Sequence, residues 1–218
     1  MSAAVPAPGS WERYLHSSAR FHAEREIRAF LAGPARGRRV WDLGCGTPPL
    51  GAHPAALFTL DRQRSAGPTV VADLESMPFA SGTIEGALLV AVLEHVDRPA
   101  RVLAELARVM APGAPAYVWV PFLHEVHEYP VDRWRFTPDG IRELLEDAGF
   151  ATRSVAAGRL AGLGTVLAHL YRFLWPPAGR WLPLRRLGFR IVDALRIVDR
   201  AAPARDWPIG TTWIGQRR

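Results

Sequence analysis

The chain of 218 residues contains no lysine; all 27 of its basic residues are arginines. A compositional bias of the source genome accounts for this as well as selection for guanidinium chemistry does, so the absence points to no function. Cysteine is almost missing as well. Cys45 stands alone and has no disulfide partner, which excludes a disulfide-stapled scaffold and suits a reducing, cytoplasmic setting. Residues 1–9 hold two prolines and lack a cationic start followed by an apolar stretch, so no signal peptide is expected. The longest charge-free run, 43–60, is interrupted by three prolines and three glycines. It cannot form a continuous lipid-facing helix, and no transmembrane segment is expected.

What is present bounds the fold. A chain with 49% apolar residues can bury one substantial core, and its length suits one domain with an appendage. Charge is unevenly spread. From residue 158 onward there are eleven Arg against three Asp and no Glu, a balance of +8, which leaves −2 for the first 157 residues of a chain whose total is +6. The basic character belongs to the C-terminal part.

The stretch Val40-Trp41-Asp42-Leu43-Gly44-Cys45-Gly46-Thr47-Pro48 organises the remainder. Its apolar run reads as a buried parallel strand, and Gly44 and Gly46 let the backbone turn sharply and approach a ligand. A ligand is therefore expected above this strand end. Leu57-Phe58-Thr59-Leu60-Asp61 is a second apolar run, ending in a carboxylate where an acid can accept hydrogen bonds from both hydroxyls of a ribose. Val70-Val71-Ala72-Asp73-Leu74 repeats the pattern. Cys45 reads as a packed small residue in the turn rather than a nucleophile.

At these residues the sequence resembles the class I S-adenosylmethionine-dependent methyltransferases, specifically their type 11 group, over about 40–150. Asp42-Leu43-Gly44-Cys45-Gly46-Thr47 is similar to the family's first motif, Asp61 to its ribose-binding acid and Asp73-Leu74 to its adenine-contacting pair. Met77-Pro78-Phe79, Leu93-Glu94-His95-Val96, Glu105-x-x-Arg108-Val109 and Ala111-Pro112-Gly113 follow in the family's order. The resemblance implies S-adenosylmethionine as cofactor, held by Asp42, Gly44, Cys45, Gly46, Asp61, Asp73, Leu74 and Leu89. It departs at Pro48, which replaces a third glycine, and in the short proline-bearing segment before the second strand, where the first helix must be short or irregular. Glu85 replaces the usual Asp, and Leu89 and Val90 replace positions often polar, so that a contact there runs through backbone atoms.

Strands are expected near 39–43, 57–61, 69–72, 86–91 and 115–121, with helices at 11–16, 19–31, 99–110 and 138–148. Thr137 caps the last of these helices, Pro138 opens it and Gly149 ends it. The N-terminal helices either cover the cofactor or lie against the sheet edge. The alternation predicts an α/β fold, a doubly wound, mostly parallel seven-stranded sheet of the Rossmann-like methyltransferase type. The chain divides into an N-terminal helical cap (1–36), the core (37–157), a basic amphipathic helical hairpin insertion (158–205) and a terminal strand (206–218).

The polar, irregular stretch 121–138 leaves the C-terminal end of a central strand, where open α/β sheets bind ligands. His124 and His127 within it, and His95 after the fourth strand, are candidate general bases, His95 being equally readable as a residue that orients its loop. The two histidines at 124 and 127 have only Glu125 and Glu128 as further ligand candidates, an incomplete set, so no metal is expected. Arg133 and Arg135 are candidate contacts to an anionic substrate group, against the plainer reading that they pair with neighbouring acids. The hairpin either packs on the domain as a cap or meets an anionic membrane or lipid-linked substrate.

Together these features predict a cytoplasmic methyltransferase, possible peripheral contact with the inner membrane face included. O-methylation of a small-molecule, glycan or lipid-linked acceptor is preferred. A nucleic-acid (RNA) methyltransferase is the first rival, motivated by the basic tail; Val92-Leu93-Glu94-His95 lacks the Asn/Asp-Pro-Pro-aromatic motif of amino-group methylation. A non-catalytic cofactor-binding or membrane-docking subunit is the second.

Overall fold

The computed structural model describes residues 19–46, 57–64, 68–126, 131–157 and 208–218, with 162–163, 166–167, 170 and 187–188. The expected helix at 11–16, the segment 47–56 and nearly all of the hairpin at 158–205 lie outside them.

Seven strands form one sheet: β1 (Val40–Leu43), β2 (Leu57–Asp61), β3 (Val70–Val71), β4 (Ala87–Val90), β5 (Pro115–Pro121), β6 (Phe150–Ala156) and β7 (Gly210–Arg217). Their order is β3-β2-β1-β4-β5-β7-β6. Pairings from β3 through β5 are parallel, and β7 runs antiparallel to both β5 and β6. Hence the sheet is mostly parallel, as the alternation of elements requires.

Each strand of the centre presents alternate residues to two apolar layers. Leu88 and Val90 of β4 pack with Ala23, Ile27 and Phe30 of helix α1 (Ala19–Ala32). Ala87 and Leu89 face the layer of α2 (Pro99–Val109) and α3 (Pro138–Asp147), which contributes Val102, Leu103, Leu106, Ile141 and Leu145. Spacings of three and four along the helices give each a single apolar stripe, and only a sheet face can bury it. So α1 does not lie at an edge of the sheet. It covers the face over β4 and β5, where Glu26 accepts from the hydroxyls of Tyr117 (3.1 Å) and Thr212 (2.6 Å). Burial, with the nearby Glu26 carboxylate, pushes the Tyr117 phenol far above its ordinary range and keeps it a donor.

Both later helices begin as the sequence indicates. Pro99 and Pro138 occupy first-turn positions, and the Thr137 hydroxyl accepts from the N–H of Gly140 at 3.1 Å. Glu105 and Arg108 turn α2 into a clamp on the loop after β3. Glu105 accepts from Met77 N (2.8 Å), while Arg108 donates to the carbonyls of Phe79 (2.9 Å) and Met77 (3.2 Å) and forks onto Glu105. Phe79 in turn packs on Trp41 of β1 with ring centroids 4.5 Å apart.

Replacing Glu105 with Ala leaves the buried Met77 N–H without its acceptor and is expected to cost about 1–3 kcal/mol of stability. Hydrogen bonding from Arg108 holds the Glu105 carboxyl below its ordinary pKa. Its contribution is therefore present above the unfolded carboxylate value and is lost as pH falls through the depressed one. Denaturant titrations at neutral pH and in acid should show the wild-type advantage over the Ala variant shrinking in acid.

Candidate active site

Strand order reverses between β1 and β4, and the C-terminal ends of these two strands border the crevice in which such sheets take ligands. On one side is the glycine turn. The amides of Gly44 and Cys45 both donate to Leu60 O (2.7 and 3.2 Å), and that of Gly46 donates to Asp61 Oδ2 at 2.8 Å. The other Asp61 oxygen accepts from Gln63 N, also at 2.8 Å. A carboxylate oxygen has two acceptor sites, so each keeps capacity for a further donor.

Opposite the turn stands the loop after β4. Gly44 has φ +74°, and a Cβ there would lie 2.7 Å from a methyl of Val92. Gly44→Ala is therefore expected to cost about 1–3 kcal/mol through backbone strain and overlap, read as a lower midpoint in denaturant. Gly46, at φ +61°, has none of the described residues within 4 Å of its Cβ position, so among them the space beside the Asp61 carboxylate is open. Ala91, the residue that follows β4, has φ +54°, the one non-glycine residue with positive φ among those described. Such backbone costs about 1–3 kcal/mol and gathers at functional sites.

The remaining cofactor candidates divide. Cys45 is completely buried, as a packed small residue should be, and serves the turn through its amide. Asp42 is also buried, on the same face of β1 as Val40. Asp73 is exposed and accepts from Glu75 N at 2.8 Å, with Leu74 half-buried beside it against the core. The side chain of Leu89 belongs to the core, which leaves that position only its backbone for a ligand.

Residues 51–118 match the family model described as a methyltransferase domain, type 11. The chain is similar to that domain over this stretch, 68 of its 218 residues. The matched stretch starts beyond the glycine turn. No curated protein matches the sequence. Among solved structures, the fold is similar to that of an S-adenosylmethionine-dependent methyltransferase from Archaeoglobus fulgidus, with a TM-score of 0.59, 14% identity and coverage of 91% of this chain and 94% of that one. A methyltransferase from Mesorhizobium loti gives a TM-score of 0.53 at 16% identity, covering 93% and 100%. The [4+2]-cyclase SpnF gives 0.52 at 20% identity, covering 89% and 81%. At these identities the likeness is one of fold.

The match to a methyltransferase domain implies S-adenosylmethionine as the cofactor. A carboxylate with acceptor capacity to spare, next to the open space over Gly46, fits a ribose diol.

Around the crevice the fold brings two of the three candidate histidines to the C-terminal ends of β4 and β5. His95 Nδ1 is 2.7 Å from Val131 O, and its Nε2 is 3.7 Å from the wholly buried carboxylate of Glu94. His124, nearly buried, points Nδ1 at the carboxylate (3.0 Å) and carbonyl (3.2 Å) of Glu125. Carbonyl and carboxylate oxygens only accept, so Nδ1 carries the proton on both rings; in His124 the lone pair of the neutral ring is then on Nε2, whereas in His95 an acceptor faces Nε2 as well. His127 lies outside the described residues. Among those described, no group of three His, Cys, Asp or Glu could hold a metal ion.

Both candidate arginines are paired with acids. Arg133 meets Asp97 at 2.7 Å on the surface. Arg135 forks onto Asp132, whose side chain is 1% exposed. Hydrogen bonding to Asp132 raises the Arg135 pKa further above its ordinary value, and the charge of Glu94 adds to it. Asp132 and the buried Glu94 were not singled out as site residues by sequence, and only the pairing of Asp132 with a nearby Arg was open to inspection there.

Proposed function

We propose that this chain is an S-adenosylmethionine-dependent methyltransferase that acts on a hydroxyl of a small-molecule, glycan or lipid-linked acceptor, with His124 as the general base. S-adenosylmethionine supplies an electrophilic methyl on a sulfonium centre. The protein has to hold the acceptor oxygen in line with that methyl and take up its proton, and most of the rate gain comes from orientation. The observation that carries this reading is the Glu125–His124 arrangement, in which a carboxylate on Nδ1 leaves the lone pair on Nε2, the arrangement of a base oriented by a third group. In His95 the carboxylate lies on the Nε2 side instead, which suits a loop-orienting role. Arg133 is the proposed contact for an anionic acceptor group, since an exposed ion pair is worth little and exchanges readily.

Transfer of labelled methyl from the cofactor to fractionated glycan, lipid and RNA acceptors tests the reading. Label appearing in RNA alone, or on nitrogen, would overturn it, and cofactor binding with no transfer to any fraction would favour a non-catalytic role.

No helix among the described residues is long and apolar enough to cross a membrane. The proposed peripheral contact rests on the arginines of 158–200 in the sequence. Salt-sensitive flotation with anionic vesicles, diminished when Arg185, Arg186 and Arg190 become Gln, is the expected result. Absence of flotation at low salt would remove the membrane from the reading.

A further inference from the structure

The stretch from Val131 to Phe136 is fastened along its length to the loop after β4. The amides of Arg133 and Trp134 donate to Glu94 O (2.8 and 3.3 Å), the Trp134 indole donates to Val96 O (2.9 Å), and Val131 O accepts from His95. Arg133 Nη1 also reaches His95 O at 3.3 Å. From this fixed base one side chain reaches across to the turn after β5. Arg135 Nη2 donates to Glu125 O at 3.0 Å and to His124 O at 3.5 Å, while Nη1 donates to Trp134 O at 2.8 Å. The same two nitrogens form the fork onto Asp132.

Five protein oxygens, from four residues, thus take the donors of the guanidinium. The last ladder-like bonds of the β5 end are those of Phe122 N and Leu123 N to Ile209 O and Pro208 O. Beyond them, the carbonyls of the two residues that form the histidine–carboxylate pair are gripped by Arg135. We propose that Arg135 is a positioning residue, one that fixes the imidazole of His124 in its Nδ1–H form by holding the 124–125 turn against the 131–136 strap. This proposal rests on the reading of His124 as the base, and it assigns Arg135 to the protein's own framework rather than to a substrate anion.

The chemistry requires arginine. A planar guanidinium offers five N–H donors in a rigid fork and can bind a carboxylate with two bonds while reaching carbonyls at its rim; an ammonium has three donors and no fork. Once the grip on Glu125 O is lost, the turn can rotate, and the Glu125 carboxylate no longer lies at a fixed distance from Nδ1. His95 is held by Val131 O and needs no help from Arg135.

Nitrogen NMR of the full chain with labelled histidine side chains tests this, His124 and His95 being assigned from H124Q and H95Q. In the wild type, His124 should give the pattern of a single Nδ1–H tautomer. In R135K, which keeps the charge, it should shift towards the averaged pattern of two tautomers, while the His95 signals and the calorimetric affinity for S-adenosylmethionine stay as they were. D132N removes the charged half of the fork and should move His124 in the same direction, so the question is decided even where R135K does not fold. A His124 that keeps its single tautomer in the variants that fold overturns the proposal. If His124 shifts as expected but H124Q transfers methyl at the full rate, the positioning role stands and the assignment of the base falls.

Discussion

Asp61→Ala is expected to weaken S-adenosylmethionine binding by about 10- to 150-fold, the equivalent of losing about 1.5–3 kcal/mol of charged hydrogen bonding. Two losses coincide in this variant. The ribose diol loses its acceptor, and Gly46 N loses the carboxylate that holds the glycine turn against the end of β2 at 2.8 Å. Asp61→Asn keeps one acceptor oxygen and should fall between wild type and Ala. Asp73→Ala should lose less, because that carboxylate is exposed and its one bond shown here, from Glu75 N, stabilises its own turn. Calorimetry decides the order. An affinity unchanged in Asp61→Ala would refute the ribose assignment, and a loss at Asp73 equal to or above that at Asp61 would mean that the two contacts are ranked wrongly.

The second large effect is expected at His124. Its replacement by Ala should lower turnover by a factor of about 10²–10⁴ with cofactor affinity nearly constant, the signature of a group that moves a proton but does not hold the cofactor. Glu125→Gln keeps an acceptor for Nδ1 but removes the charge, and should give a smaller loss. His95→Ala should cost less than His124→Ala, because its ring is placed to anchor Val131. Steady-state rates together with calorimetric affinities distinguish the cases. A parallel fall in cofactor affinity in His124→Ala would make that residue structural, and a larger rate loss at His95 would transfer the role of base to it.

Much of the frame was legible in the chain because its signals are local. Runs of apolar residues at 57–61 and 115–121 coincide with β2 and β5, and the Thr137-Pro138 start of α3 needs only a hydroxyl and a fixed φ at neighbouring positions. The strand Phe150–Ala156 had no such signal. Its residues Ala-Thr-Arg-Ser-Val-Ala are small or polar, only Phe150 is fully buried, and its partner β7 lies more than fifty residues further on. The position of α1 was equally hidden, since a stripe such as Ala23, Ile27 and Phe30 says that a helix must be covered and not by what.

The site divides along the same line. The sequence by itself determined the glycine turn, the acid after the second strand and the order of motifs, since each depends on residues adjacent in the chain. Their meaning required three dimensions. That Gly44 faces Val92, that Glu105 and Arg108 clamp the Met77–Phe79 loop, and that Arg135 reaches the carbonyl of Glu125 are contacts between segments brought together only in the folded sheet. A hydrogen bond is directional and short-ranged, so the type of a residue fixes what it can bond, while the packing of two layers on one sheet decides which partner lies within reach.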